Sequence, residues 1–228
     1  MRGTAVLDVL DPPAVSRGGA GLRVLLGAAL LVAVFFVAVV ALPYFTFLFD
    51  STPGRFVDEV RFGTYYPRRG WLLLHIVGGM VAVLAGPVQL WLGLTDRRMD
   101  LHRVLGTVYL AGVALGTVGA VVLAVQTTLG WVFGAGLLGL SFAWVVTTGL
   151  AFASIKKHLI GQHKEWMIRS YVVTFAFVVF RIGSIGFIAS GAGETPESQA
   201  FLAWACWAVP LLVTEAILQG RKIAAVTV

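Results

Sequence analysis

From Val104 to Ile155 the chain carries no charged side chain. A helix crosses bilayer hydrocarbon with about 20 apolar residues at about 1.5 Å each. The run is therefore roughly two spans long and must turn back on itself. The polar stretch Gln126-Thr127-Thr128-Leu129-Gly130-Trp131 is the turn, and it predicts a tight hairpin of helices over 103–126 and 131–155. Gly112 and Gly116 form a G-x-x-x-G, and Gly134, Gly136 and Gly139 add further smooth surface. Small residues let helices approach closely in lipid, and we read these glycines as packing within the chain. They leave the oligomeric state open.

Four more apolar runs complete the pattern. They predict helices over 24–49, 71–94, 166–189 and 199–219, with Pro43 bending the end of the first and Gly86-Pro87 kinking the second. The expected fold is all-α: a polytopic membrane bundle of about six transmembrane helices. It forms one transmembrane domain over 22–220, between a disordered tail at 1–21 and a short tail at 221–228. The first run is too long for a signal-peptide core and lacks a clear cleavage site, so it is expected to be retained. Composition agrees: 58% of residues are hydrophobic and 12% charged, against roughly a quarter charged in a soluble domain.

The net charge of +6 does not indicate a nucleic-acid partner, because the basic residues flank apolar runs as topology signals do. With both termini cytoplasmic, Arg97, Arg98, Arg103, Lys156, Lys157, Lys164, Arg221 and Lys222 all fall on the inner face. Arg55, Arg61, Arg68 and Arg69 fall outside among a similar number of acids. The positive-inside rule favours this orientation and a multi-pass protein of the bacterial cytoplasmic membrane. Cys206 is the only cysteine, so no intrachain disulfide forms, and Trp204 and Trp207 beside it mark it as a small buried hydrophobe.

Ionisable groups inside spans are costly and face a bundle interior or a cavity. By depth they sort into two sets. The inner set is Gln89, His102, His163, Arg169 and Glu215, with Arg103, Tyr109 and His158 nearby. His102 and His163 open two different helices at one depth, where paired imidazoles can ligate a haem iron axially or hold two corners of a metal site. Arg169 is placed to pair with Glu215 or with an anionic group such as a haem propionate. The bland alternative is a structural ion pair and hydrated interface histidines, and His158, in Lys156-Lys157-His158, fits it best. The outer set is His75 and Arg181. Arg181 lies twelve positions beyond Arg169, about 18 Å deeper, with no acid at its level in a neighbouring span. Helix-end carbonyls, His75, Glu194 or a bound anion are its candidate partners. Walker-type, His-Glu-x-x-His, Gly-x-Ser-x-Gly and Cys-x-x-Cys-His motifs are absent, and no Asp falls within a span.

Four pieces in order resemble the domain of unknown function 2306 family of bacterial predicted membrane proteins. They are Gly86-Pro87-Val88-Gln89; Leu101-His102-Arg103-Val104-Leu105-Gly106-Thr107-Val108-Tyr109; His163-Lys164-Glu165-Trp166-Met167-Ile168-Arg169-Ser170-Tyr171, with Arg181 downstream; and Trp204-Ala205-Cys206-Trp207-Ala208-Val209-Pro210, followed by Glu215. The likeness covers roughly Trp71 to Leu218. It departs at Leu211, where the family often has Asn. It implies a multi-helix membrane protein and adds weight to the inner set. A looser likeness, His at helix starts followed by Leu-Gly, is shared with two-haem membrane cytochromes and ferric reductases. Since His75 is the sole outer histidine, it implies at most one b-type haem, on the inner side.

Three functions follow. In a redox protein, His102 and His163 would be axial ligands, Arg169 a propionate partner, and quinone or a partner flavoprotein the electron source. In a transporter or lipid-handling protein, Arg181 would attract an anionic or lipid-like substrate. In an accessory or assembly subunit, the polar residues would be structural glue. An enzyme acting on a lipid is a further alternative.

Overall fold

The computed structural model describes residues 20–48 and 63–226, and among these it contains helices and no strand. Six stretches are long and apolar enough to cross a membrane. The first is α1 (Ala20–Phe36), continued by a π-turn over Val37–Ala41 and a 3-10 segment over Leu42–Leu48. The others are α2 (Arg69–Thr95), α3 (Met99–Val125), α4 (Trp131–Lys156), the pair α5 (Ile160–Thr174) and α6 (Ala176–Ala189), and α7 (Pro196–Val226). Large apolar side chains such as Phe35, Trp131, Phe142, Ile185 and Leu212 stand exposed, as lipid-facing residues do.

Several helices run beyond the sequence reading. α3 begins at Met99 rather than 103, and the fifth span begins at Ile160 rather than 166. The expected polar loop before the fifth span contracts to Lys157–Leu159, with His158 left-handed at φ 58°. α7 continues to Val226, so most of the expected tail at 221–228 is helix. For α5 and α7, charged residues near the helix end find partners on other elements, Glu165 with Lys222 and Lys164 with Asp96. The expected tail at 1–21 and the polar loop after the first span fall largely outside the described residues.

Close packing starts with the glycines. A Cβ at Gly78 of α2 would collide with the backbone of Gly112 and Gly116 on α3, so only bare backbone permits this crossing. The G-x-x-x-G of α3 thus receives α2, and Gly116 also meets the indole of Trp144 from α4. Gly136 of α4 lies against the backbone of Ala203 in α7, where a Cβ would be 3.0 Å from the Ala203 carbonyl oxygen.

The Gly86-Pro87 pair has a specific partner. Pro87 lacks an N–H, so the carbonyl of Val83 one turn earlier loses its helical donor. The Tyr171 hydroxyl donates to that carbonyl at 3.2 Å. A Cβ at Gly86 would run into the Tyr171 ring, so the glycine makes the slot and the proline makes the acceptor. The fifth span tightens at Phe175, where the Val178 N–H donates to the Phe175 carbonyl at 3.0 Å.

Tyr171→Phe should therefore leave a buried carbonyl unsatisfied at a cost of about 1–3 kcal/mol. Gly86→Val, which blocks the ring itself, should cost more. Thermal unfolding in detergent would check this order, with Tyr171→Phe more stable than Gly86→Val and less stable than the parent.

Candidate functional site

The structure divides the polar residues into four groups. The first, at the end of the bundle holding the Asp96–Arg98 and Lys157–Leu159 turns, is Gln89, His102 and His163. The imidazoles stand with ring centroids 6.3 Å apart and planes at 88°. His102 Nδ1 lies 3.2 Å from the Gln89 carbonyl, and His163 Nδ1 lies 2.9 Å from the Ala151 carbonyl. A carbonyl only accepts, so each Nδ1 is the donor and each Nε2 keeps a lone pair in the neutral ring. The Gln89 side-chain nitrogen stands 3.4 Å from His102 Nε2, while its Oε1 is buried without a partner. A haem iron on His102 would have to displace this carboxamide, so the pair as arranged does not fit a b-type haem.

The second group joins α5 to α7. Arg169 donates to Glu215 from Nε at 2.7 Å and from a terminal nitrogen at 2.6 Å. Its other terminal nitrogen is 3.4 Å from Glu165, which also accepts from Lys222 at 2.8 Å. The Trp166 ring covers the guanidinium at 4.6 Å. Arg169 is thus the structural ion pair weighed from the sequence, and its donors are committed to protein acids. Lys222 and Glu165 fall in segments that the sequence predicts as tail and loop, and both are part of the network. Arg103 is exposed and joins neither this group nor the histidines, and His158 is exposed in its turn.

Tyr109 belongs to a third group that sequence reasoning missed. Fully enclosed, its hydroxyl bonds Ser170 Oγ at 2.8 Å and Thr174 Oγ1 at 2.6 Å. Trp144 Nε1 donates to Thr174 at 2.7 Å, and Thr148 reaches Ser170 at 2.7 Å. The group ties α3, α4 and α5 together. Its only sequence signal was the i, i+4 spacing of Ser170 and Thr174 in an apolar helix.

The fourth group lies towards the opposite end, where His75 and Arg181 line a common cavity of about 380 Å³. His75 donates through Nδ1 to the Gly116 carbonyl at 2.9 Å, and its ring meets Phe177 edge-on at 5.3 Å. Arg181, from α6, is half-buried, and its guanidinium lies 6.0 Å from the centre of the adjacent Phe180 ring. Among the described residues it makes no hydrogen bond or ion pair, so neither His75 nor Glu194 compensates it, although Glu194 lines the same cavity. Gln199, also on the wall and missed from the sequence, is 9% exposed and has an amide nitrogen without a partner. Thr174 and Trp144 line the deep part, so the Tyr109 network underlies the cavity. Most of the remaining wall is apolar, from side chains such as Val37, Leu72, Met80, Leu140 and Val178.

The family model for predicted membrane protein, domain of unknown function 2306, matches residues 72–218. The chain belongs to this family. No curated protein and no solved structure matches it. The histidine pair and the Tyr109 hydroxyls lie within the family region, as do Arg169, Glu165 and Glu215 and the cavity residues His75 and Arg181, whereas Lys222 and the part of the cavity wall from the first span lie outside it.

Removing one member of the Arg169 network strands a charge at low exposure, which costs roughly 3–5 kcal/mol in soluble proteins. Arg169→Leu should therefore cut the folded yield sharply. Arg169→Leu combined with Glu215→Gln should recover part of it, because Glu215 loses its cation with Arg169 whereas Glu165 keeps Lys222. Size-exclusion yield of the detergent-solubilised variants checks this. Equal loss in the single and double variants would contradict it.

Proposed function

We propose that this protein binds a small anionic amphiphile, a carboxylate- or phosphate-headed lipid-like molecule, in the cavity lined by His75 and Arg181. In the orientation favoured by the flanking basic residues, the cavity lies towards the outer leaflet of the bacterial cytoplasmic membrane. One observation carries the reading: a permanent cation sits on the cavity wall without an ionic or hydrogen-bonding partner among the described residues.

An arginine at the centre of a membrane helix costs about 2.5–3.5 kcal/mol on insertion scales. Such a residue at depth is retained for a pathway, a ligand or a counter-ion. Here the geometry favours a ligand. The volume falls in the range of small-molecule sites, and the wall is apolar with a few polar groups, as in sites that bind mostly by apolar burial. Arg181 supplies a fork of donors matched to a carboxylate or phosphate. Gln199 adds an amide donor. His75 is held by its Nδ1, which leaves Nε2 to accept from a protonated headgroup. The first span contributes Phe36 at the end of α1 and Val37 and Val40 of the π-turn to the wall, so the acyl part would lie beside it.

The haem form of the redox reading rests on the histidine pair and is less favoured, because a haem would have to displace the Gln89 carboxamide from His102. The accessory-subunit reading accounts for the Arg169 and Tyr109 networks, which are internally satisfied. It gives no reason for an Arg181 without a partner among the described residues beside a cavity.

Laurate compared with dodecanol tests the proposal, since they differ only in the charged head. Laurate should raise the unfolding midpoint of the purified protein, by an amount equivalent to about 2.7 kcal/mol at a hundred times its dissociation constant. It should do nothing for Arg181→Leu. Equal stabilisation by dodecanol, or a response retained in a folded Arg181→Leu, would contradict the reading.

A further inference from the structure

We propose that Gln89, His102 and His163 form a binding site for a first-row transition cation of the copper–zinc class, separate from the amphiphile cavity. The two sites lie on different parts of the bundle. Gln89 is fourteen residues beyond His75 along α2, about 21 Å of helix.

Three observations converge. First, both imidazoles are oriented through Nδ1. Metal-ligating histidines almost always donate their other ring N–H to a carbonyl, carboxylate or water, which fixes the tautomer and raises the basicity of the ligating nitrogen. His102 does so to the Gln89 carbonyl and His163 to the Ala151 carbonyl. Second, the rings come from different helices and stand 6.3 Å apart and perpendicular, close enough for a single ion to bridge two Nε2 atoms after small side-chain rotations.

Third, the Gln89 carboxamide is 3% exposed and has an oxygen without a partner. Rotating it by half a turn exchanges nitrogen and oxygen. The oxygen would then stand where the nitrogen now lies, 3.4 Å from His102 Nε2. Two donors each about 2.1 Å from one tetrahedral ion are held at about that separation. The oxygen thereby gains a partner and the site a third donor, while the amide nitrogen takes over the buried position that has no partner. Gly93 and Gly106 keep the space clear, since a Cβ at either would lie 2.8 Å from the His102 ring or the Gln89 amide, respectively.

The donor set selects the ion. Two imidazoles with one amide oxygen suit copper or zinc better than magnesium or calcium, which take oxygen ligands. The set is neutral and holds no third His, Cys, Asp or Glu; no cluster of three or more such residues occurs among the described residues. A fourth position would stay open to water or a further ligand.

The test is equilibrium dialysis of the detergent-solubilised full chain against zinc, with bound metal counted by mass spectrometry. Cobalt serves as a spectroscopic probe of the coordination geometry. One ion per chain is expected, with His102→Ala and His163→Ala each weakening binding by roughly ten-fold or more, since loss of even an outer-shell partner of a ligand typically costs about 10–100-fold. His158→Ala should leave it unchanged. Gln89→Glu replaces the amide oxygen with a carboxylate of the same length and should tighten binding. Wild-type affinity in folded His102→Ala and His163→Ala proteins would overturn the proposal. Should either fail to fold, Gln89→Glu decides: tighter binding supports the site, and unchanged or weaker binding overturns it.

Discussion

A hydrocarbon solvent offers no hydrogen bonds, and the arrangement of this bundle follows from that one deficiency. Each polar group inside must meet another polar group from the protein. The kink at Pro87 is tolerated because Tyr171 reaches the carbonyl that the proline deprives. Thr147 and Thr174 return donors to their own helices, to the carbonyls of Ala143 and Ser170 at 2.7 and 2.9 Å. Arg169, Glu165, Glu215 and Lys222 neutralise one another between α5 and α7. Against this background the exceptions among the described residues stand out: Arg181 and the Gln199 amide at the cavity, the Gln89 oxygen near the histidines, and the Thr117 and Ser184 hydroxyls.

The same constraint explains what was legible in the sequence. The spans were plain because charge is excluded from lipid, and the depth at which each remaining charge enters follows from helix rise alone. That reasoning placed His102 with His163, and His75 with Arg181, and the structure brings each pair together. It also anticipated Arg169 with Glu215. It placed Tyr109 and Arg103 with the histidines, and neither joins them. Arg103, one residue on from His102, faces about 100° away from it, while Tyr109, seven residues on, shares its face but lies about 10 Å further along the helix, where Ser170 is.

Other features had no signal of that kind. Glu165 and Lys222 sit in charged segments that read as loop and tail, and only their partner across the bundle makes those segments helical. Thr148, Ser170 and Thr174 cost little in a helix because a hydroxyl can bond the carbonyl four residues back, so their presence did not reveal a network. Gln199 lay where a span was expected to begin, and a polar residue at a boundary is unremarked until its amide is seen to be alone. The cavity arises from α1 leaning on α2 and from the tightened turn at Phe175, neither of which periodicity predicts.

The account turns on Arg181 pointing into a compartment reached from one side of the membrane, rather than into lipid or towards the histidines. Cys206 is the only native thiol, so replacing it with alanine gives a clean background for Arg181→Cys, Ile185→Cys and His163→Cys. In oriented vesicles, a charged membrane-impermeant thiol reagent should modify position 181 from the periplasmic side alone. It should modify 163 from the opposite side and leave the lipid-facing 185 largely untouched. Position 181 as unreactive as 185, or reactive from the same side as 163, would contradict the account.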